Sequence, residues 1–193
     1  MDNNNNFSSL FSEIKKRLEK GSLIIAVDGP SASGKTTLAQ LLENKYDCTV
    51  FHADDFFLRP EQRTPERYAE IGGNIDRERF LEEILIPLKN GETINYRRFD
   101  CSEMKILDPV MITPKKLTVI EGVYSMHPAF ADFYDFSVFL EISSELQKER
   151  ILKRNTSEMA ERFFNEWIPL ENKYFSGADV KNRCDMCIKI KEV

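Results

Sequence analysis

The chain lacks long apolar runs, an excess of basic residues and a dense set of cysteines. The apolar run 23–27 is strand-sized, whereas a membrane-spanning helix needs about 20 apolar residues. Lys and Arg number 27 against 32 Asp and Glu, which gives a net charge of −5. A surface built for nucleic acid needs the opposite balance, and four cysteines do not make a disulfide framework in 193 residues. We therefore expect no membrane partner and no nucleic-acid partner.

The first residues also lack the features of a signal peptide. Residues 1–6 carry neither a basic segment nor an apolar one, and their asparagine run is typical of a disordered tail. We therefore expect a cytoplasmic protein. The length suits one compact domain with a real core, so we predict a tail and one helix over 1–20 and a single domain over 21–193.

Apolar runs and amphipathic segments alternate along the chain. Strands are predicted at 23–27, 49–52, 117–120, 136–140 and 187–190. Helices are predicted at 7–20, with Ser8 or Ser9 as its cap, and at 38–44, 76–89, 144–155 and 157–174. Proline and glycine make 59–74 irregular, and 93–113 is predicted as short strands and turns. The alternation predicts an α/β fold with a mainly parallel central sheet flanked by helices.

The first predicted strand leads directly into a phosphate-binding motif. Residues 29–36 read Gly-Pro-Ser-Ala-Ser-Gly-Lys-Thr and fit the pattern G-x-x-x-x-G-K-[ST]. In such a loop the backbone N–H groups surround phosphate oxygens, the lysine reaches the β and γ phosphates, and the threonine hydroxyl suits Mg²⁺. We predict that MgATP is bound by Gly29, Ser31, Ala32, Ser33, Gly34, Lys35, Thr36 and Thr37, and that Lys35 is catalytic.

Carboxylates follow two of the other strands. Asp54 and Asp55 come directly after the second strand, and Glu121 ends the strand at 117–120. Transfer of a phosphoryl group to an alcohol needs a carboxylate beside the hydroxyl, and Mg²⁺ prefers carboxylate oxygens. Because adjacent residues on an extended chain point opposite ways, we expect one of the two aspartates to face the nucleotide. A solvated acidic turn and a capping glutamate are the plainer alternatives.

Basic residues recur on the predicted helix 144–155. Arg150 and Arg154 stand four residues apart and so share one face. Two guanidinium groups on one face can clamp a phosphate chain. A solvated basic face is the alternative interpretation.

Five segments in this order resemble the uridine kinase and phosphoribulokinase family of P-loop kinases. They are the phosphate-binding motif, His-Ala-Asp-Asp-Phe-Phe at 52–57, Asn-Ile-Asp-Arg-Glu-Arg-Phe at 74–80, Val-Ile-Glu-Gly at 119–122 and Glu-Arg-Ile-Leu-Lys-Arg at 149–154. The resemblance covers roughly residues 22–155. It implies a P-loop kinase fold with a small lid, which falls at about 144–160 here.

The resemblance also implies roles for single residues. Asp54 matches the base that acts on the acceptor hydroxyl, and Glu121 matches the glutamate that assists the metal with Thr36. Arg150 and Arg154 match arginines of the mobile lid helix. Asp76 is similar to the aspartate that binds a nucleoside sugar, although it also suits the N-cap of the next helix.

The segment 96–104 departs from the family pattern. Uridine kinases carry a tyrosine, an aspartate and a histidine there, whereas this chain has no histidine and has Phe99 where the tyrosine is expected. Arg97 and Arg98 suit an acidic or phosphorylated acceptor, with a solvated strand edge as the alternative. The predicted acceptor-binding residues are Asp54, Asp76, Arg98 and Phe99.

The sequence thus predicts an ATP-dependent phosphotransferase that acts on a hydroxyl of a small molecule, with a nucleoside such as uridine or cytidine as the first choice. A kinase for another alcohol, such as a vitamin precursor or a sugar phosphate, is the alternative. A regulatory NTPase is a further one, although the absence of a D-x-x-G sequence disfavours a GTPase. Both a monomer and a homo-oligomer are compatible with the sequence.

Overall fold

Five parallel strands form the central sheet of the computed structural model, which describes residues 6–191. All strands of this part are β1 (Leu23–Asp28), β2 (Cys48–His52), β3 (Ile94–Tyr96), β4 (Phe99–Asp100), β5 (Lys105–Ile106), β6 (Val110–Ile112), β7 (Leu117–Glu121), β8 (Phe136–Glu141) and β9 (Met186–Lys189). The sheet order is β2-β7-β1-β8-β9, and every neighbouring pair is parallel. The strands β3 with β6 and β4 with β5 form two small antiparallel pairs.

Helices connect the strands of the central sheet. They are α1 (Ser8–Leu18), α2 (Lys35–Lys45), α3 (Pro65–Ala69), α4 (Arg77–Phe80), α5 (Ile86–Asn90), α6 (Ser144–Arg154), α7 (Ser157–Arg162), α8 (Ile168–Gly177) and α9 (Val180–Arg183). Short 3-10 turns lie at Ala53–Phe56, Pro60–Gln62 and Pro128–Phe133. Within the described part, no helix combines the length and the apolar character that crossing a membrane requires.

The core lies on both faces of the sheet because the central strands are apolar on both sides. In β1, Ala26 belongs to one buried cluster, whereas Ile25 and Val27 belong to the other. Continuous apolar runs of this kind are expected for parallel strands that helices cover on both faces. Helix α1 buries Leu10 and Ile14 in the second cluster, so the N-terminal helix packs on the same core as the sheet.

Proline interrupts two of the predicted helices. Pro87 and Pro169 lie near the starts of α5 and α8, and each follows a π-helical turn, Leu81–Leu85 and Phe163–Trp167 respectively. Proline cannot donate to the carbonyl four residues earlier and its ring crowds that carbonyl, so the preceding turn widens. The predicted helices 76–89 and 157–174 are therefore each composed of two α-helical segments around a wider turn.

The predicted α/β fold is confirmed, and its five long strands coincide with the sheet. The predicted cap of the first helix is wrong: α1 begins at Ser8 with Phe7 in the N-cap position, so both serines lie inside the helix. The irregular segment 59–74 contains the short helix α3, whose N-cap Thr64 accepts a hydrogen bond from the Arg67 amide. The predicted tail falls mostly on residues 1–5, which lie outside the described part.

Candidate active site

A deep cleft of about 1660 Å³ opens at the carboxyl edge of the sheet. Parallel strands end at the same edge, so the residues that follow β1, β2 and β7 meet there. Residues of α6, α7 and α8 also line it. The lining includes these predicted site residues: Ser31, Ala32, Ser33, Gly34, Lys35, Thr36, Thr37, Asp54, Glu121, Arg150 and Arg154.

The phosphate-binding loop joins β1 to α2. Gly34 occupies the N-cap of α2 with a φ of 100°, a backbone conformation that side chains disfavour. The Lys35 ammonium group donates to the carbonyls of Gly29 at 2.7 Å and Pro30 at 3.1 Å, so it folds back over the loop. The buried Ser33 hydroxyl has no hydrogen-bond partner among residues 6–191. The N-terminus of α2 and the lysine together form a concave site that suits an anion.

Side chains from the C-terminal helices hold the loop from outside. The Glu171 carboxylate of α8 accepts hydrogen bonds from the Ser31 amide at 2.9 Å and from the Ser31 hydroxyl. The Gln147 amide of α6 donates to the Ser31 carbonyl at 3.0 Å, and Arg150 donates to the Ala32 carbonyl at 3.1 Å. Ala32 itself has a φ of 63°. The loop is therefore held by contacts from α6 and α8.

Thr36, Glu121 and His52 form a chain of polar contacts beside the loop. The Thr36 hydroxyl donates to Glu121 Oε1 at 3.1 Å, and the same oxygen lies 2.6 Å from His52 Nδ1. His52 and Glu121 face each other because they are register partners at the ends of β2 and β7. The hydrogen bond to Glu121 raises the pKa of His52.

The hydroxyl of Thr36 and the carboxylate of Glu121 are oxygen ligands of the type that Mg²⁺ prefers. Within residues 6–191, no group of three or more His, Cys, Asp and Glu side chains is placed to hold a metal by itself. Mg²⁺ typically uses one or two protein oxygens and takes its other ligands from water and substrate phosphates. The pair therefore fits a nucleotide-bound Mg²⁺ ion better than a resident metal.

Asp54 lies in the 3-10 turn Ala53–Phe56 that follows β2. Its side chain is accessible to solvent from the cleft that it lines. The protein around it reduces the hydration of the carboxylate, which raises its pKa to about 6 although the charge of Lys35 acts in the opposite direction. Gly122 permits this position, because a Cβ there would lie 2.8 Å from the Ala53 Cβ and 3.3 Å from Asp54 Oδ1. A carboxylate with this pKa can accept a proton near neutral pH.

Asp55 does not line the cleft. Its carboxylate accepts a hydrogen bond from the Tyr96 hydroxyl on the other side of the turn. The expected separation of the two aspartates is therefore found, but a 3-10 turn and not an extended chain produces it. The Tyr96 hydroxyl oxygen also accepts a hydrogen bond from the His52 amide at 3.2 Å, so Asp55 supports the end of β2 through Tyr96.

The predicted lid arginines lie on α6 and line the cleft. The Arg154 guanidinium lies 5.3 Å from the centre of the Phe163 ring, whereas Arg150 is bound to the loop carbonyl of Ala32. Lys153 lines the cleft beside them. The part of the lining that α6 contributes thus carries positive charge, although the chain as a whole is acidic.

Three of the predicted acceptor residues lie outside the lining of this cleft. Asp76 is buried as the N-cap of α4, where it accepts from the Arg79 amide at 3.3 Å, and it lines a second cavity of about 510 Å³. Arg98 is exposed, and Phe99 is buried beneath the Arg63 guanidinium. Arg97 is paired with Glu83. The N-cap role of Asp76 is confirmed, and its contact with an acceptor stays a prediction.

The cleft contains residues that sequence reasoning did not single out. Asn74 and Tyr124 are hydrogen-bonded to each other on its wall, and Tyr124 has a φ of 75°, which is unusual for a bulky side chain. Arg63 and Glu171 also line it. Asn74 lies in a segment that carried the family resemblance, but Glu171 lies beyond residue 155 and no motif marked it.

Comparison with known proteins identifies relatives of this chain. Residues 24–162 match the model of the phosphoribulokinase/uridine kinase family. The chain is 26% identical over 156 residues to the uridine kinase of Latilactobacillus sakei subsp. sakei (strain 23K), which covers 75% of this chain and 70% of that protein.

A solved structure supports the same fold. A possible uridine kinase from Bacillus stearothermophilus superposes with a TM-score of 0.65 at 22% identity, covering 91% of this chain and 99% of that one. At that identity the likeness concerns the fold. The family match spans most of the chain and includes the phosphate-binding loop, Asp54 and Glu121. The chain therefore belongs to the phosphoribulokinase/uridine kinase family, a family of P-loop kinases.

Proposed function

We propose that this protein transfers the γ-phosphoryl group of ATP to a hydroxyl of a nucleoside, with uridine and cytidine as the first candidates. One observation carries the proposal. The carboxylate of Asp54 and the phosphate-binding residues Lys35 and Thr36 line the same cleft. A carboxylate that can take a proton thus lies in the cavity where the triphosphate is expected to end.

The phosphate-binding loop would hold the triphosphate. The first amides of α2 lack carbonyl partners within the helix and point toward the loop, where the helix dipole also favours negative charge. Lys35, now bound to the carbonyls of Gly29 and Pro30, would exchange these neutral acceptors for phosphate oxygens. Arg150 and Arg154, which line the cleft from α6, would add positive charge.

Thr36 and Glu121 would hold Mg²⁺ together with phosphate oxygens. When bound, the ion neutralises charge on the β and γ phosphates. The His52 Nδ1–H donates to Glu121 and so orients its carboxylate. Removal of the metal with a chelator is expected to abolish transfer.

Asp54 would orient the acceptor hydroxyl and take its proton. The acceptor oxygen then forms the new bond to the γ-phosphorus, the bond to the β–γ bridging oxygen breaks, and ADP leaves. Little covalent chemistry falls to the protein, so most of the rate would come from positioning and from positive charge in the cleft. With a pKa of about 6, Asp54 is still mostly ionised at neutral pH and is more basic than an ordinary aspartate.

The choice of a nucleoside rests on the relatives. The curated relative at 26% identity is a uridine kinase. Asn74 and Tyr124 offer an amide and a phenol on the cleft wall, and groups of this kind can bind sugar hydroxyls or a base edge.

A kinase for an acidic or phosphorylated alcohol is the second candidate, and Arg63 favours it. This guanidinium lines the cleft and contacts the Leu58 carbonyl at 3.0 Å, the Met104 sulfur at 3.9 Å and the Phe99 ring. Among residues 6–191 it pairs with no carboxylate, whereas its neighbours Arg59 and Arg67 both do. An unpaired guanidinium suits an anionic group on the acceptor.

Incubation of the protein with MgATP and a panel of alcohols tests both candidates. The panel holds nucleosides, sugar phosphates and vitamin precursors, and mass spectrometry detects the acceptor that gains one phosphoryl group. Asp54→Asn is the control that should lose transfer. Phosphorylated uridine or cytidine would support the first proposal, and transfer only to anionic alcohols would support the second.

Release of free phosphate without a phosphorylated acceptor would contradict both candidates and favour a regulatory NTPase. Asp54→Asn separates the cases further. It should leave slow hydrolysis in an NTPase nearly unchanged, because the acceptor base has no role there, whereas it should remove transfer in a kinase by about 100-fold or more.

A further inference from the structure

Every polar group of Ser31 is bonded to a helix of the C-terminal wall. Its amide and hydroxyl donate to the two carboxylate oxygens of Glu171, and its carbonyl accepts from Gln147 at 3.0 Å. Ser31 is the third residue of the phosphate-binding motif. Ser31 was predicted to bind MgATP, but its amide and hydroxyl are already used within the protein.

Glu171 is an unexpected residue at this position. It is 4% exposed and lies close enough to Lys35 and Arg154 to interact with their charges, and burial raises its pKa. A second negative group beside the triphosphate site repels phosphate, so a carboxylate placed only for charge would weaken nucleotide binding. Its two hydrogen bonds to Ser31 stabilise the loop and can offset this repulsion.

Helix α8 supports the loop through a second contact. Tyr174, one turn after Glu171 on α8, donates to Asp28 Oδ2 at 2.7 Å, and Asp28 Oδ1 accepts from the Gly29 amide at 2.7 Å. The two contacts hold the loop at its first and third residues. Residue Ala32 then adopts its left-handed conformation with its carbonyl bound by Arg150. A strained backbone persists where its surroundings determine it.

We propose that Glu171 is a positioning residue for nucleotide binding, which fixes Ser31 so that the amides of Gly34, Lys35 and Thr36 converge on the phosphates. This inference rests on the nucleotide binding of the proposed function. Ser31 then contributes to the shape of the loop and not to phosphate contact. Fixing the loop before binding removes an ordering cost that would otherwise reduce affinity.

Binding of MgADP tests this role without any acceptor. The dissociation constant is measured by calorimetry for the wild type, Glu171→Gln, Ser31→Ala and the double variant, with Glu161→Gln as the control. Glu161 is exposed on α7 and outside the cleft lining. We expect each single variant to bind MgADP about tenfold more weakly, and the control to bind within twofold of the wild type.

The double variant separates a positioning role from a general loss of stability. Because Ser31 and Glu171 share one interaction, the double variant should bind MgADP about as weakly as the weaker single variant. Three results would overturn the inference. They are a double variant whose loss of affinity is the product of the two single losses, single variants with unchanged affinity, and tighter MgADP binding by Glu171→Gln. Ser31→Ala keeps the amide bond to Glu171 and serves if Glu171→Gln does not fold. A wild type that binds no MgADP would instead contradict the proposed function.

Discussion

Tyr174 and Asp28 join the C-terminal helix α8 to the strand that leads into the phosphate-binding loop. The phenol donates to Asp28 Oδ2 at 2.7 Å, and both residues are fully buried. Burial raises the pKa of Asp28 to about 6, although this bond, the amides of Met126 and Gly29, and Lys35 act in the opposite direction. These donors therefore stabilise the ionised form of Asp28 against the effect of burial.

The pH dependence of stability should reveal this bond. A carboxyl group whose folded pKa is raised loses stability as the pH rises from its unfolded pKa near 4 through about 6. Tyr174→Phe removes one donor and raises that pKa further, so its cost should grow with pH. We expect Tyr174→Phe to lower the free energy of unfolding by about 1 kcal/mol at pH 5 and by about 2 to 3 kcal/mol at pH 8, measured by urea unfolding.

Tyr134→Phe is the matched control for Tyr174→Phe. Its hydroxyl donates to the neutral Ser125 carbonyl at 2.7 Å. This substitution should lower the free energy of unfolding by about 1 kcal/mol, and by a similar amount at pH 5 and pH 8. Equal costs of Tyr174→Phe at pH 5 and pH 8 would contradict an ionised Asp28 in the native protein.

Replacement of Lys35 by methionine should reduce the rate of phosphoryl transfer by about 100-fold or more. The side chain keeps its apolar length but loses the charge that balances the transferring group. Lys45→Met is the control, because Lys45 lies exposed in the last turn of the same helix. Initial rates of ADP release with a saturating acceptor measure the effect, and a loss shared by the control would point to α2 folding instead.

Transfer should depend on pH through Asp54. The base must be ionised, so kcat/KM for the acceptor should rise about tenfold per pH unit below pH 6 and level off above it. Asp54→Asn should flatten the remaining profile in this range while the Kd for MgADP stays within a few-fold. An unchanged rise in Asp54→Asn would assign the titration to another group.

Substitution of Gly122 by alanine should disturb Asp54 specifically. The new Cβ would meet the Ala53 Cβ and Asp54 Oδ1, so the carboxylate must move. A shift of about 1 Å at such a site can cost about 100-fold in rate, and we expect at least a tenfold loss of kcat. Nucleotide binding should change much less.

Gly91→Ala controls for backbone strain in that experiment. Gly91 also has a positive φ, 71°, but in the described part of the chain no atom beyond its own local backbone lies within 4 Å of its added Cβ. It should cost about 1 kcal/mol of stability and leave kcat unchanged. Equal kcat values for the two variants would show that the approach of Gly122 to Asp54 has no role in transfer.

Much of the fold followed from local pattern. The apolar runs that became β1 and β7 are buried on both faces, and such runs are typical of central parallel strands. The π-helical turns before Pro87 and Pro169 were missed, because periodicity does not distinguish a widened turn from a regular one. The N-cap of α1 was missed because Ser8 and Ser9 lie inside the helix, where a serine is tolerated.

Local pattern also predicted some residues of the candidate site and failed for others. Asp54 and Glu121 lie at or just after strand ends, and Lys35 and Thr36 begin the helix that follows the loop after β1. Topology therefore brings all four to one edge once the strands are parallel. Predicted acceptor residues 98 and 99 lie in an antiparallel region whose direction no local pattern determines, and they fall outside the cleft.

The amino-acid sequence by itself determined the phosphate-binding loop, the strands that carry its partners and the family, because these depend on residue type at short spacing. Only the tertiary structure decided that Glu171 holds Ser31, across 140 residues of chain, and that Arg63 and Tyr124 line the cleft while Asp76 does not. Such contacts depend on how distant helices pack on the sheet, and that packing is a property of the whole core.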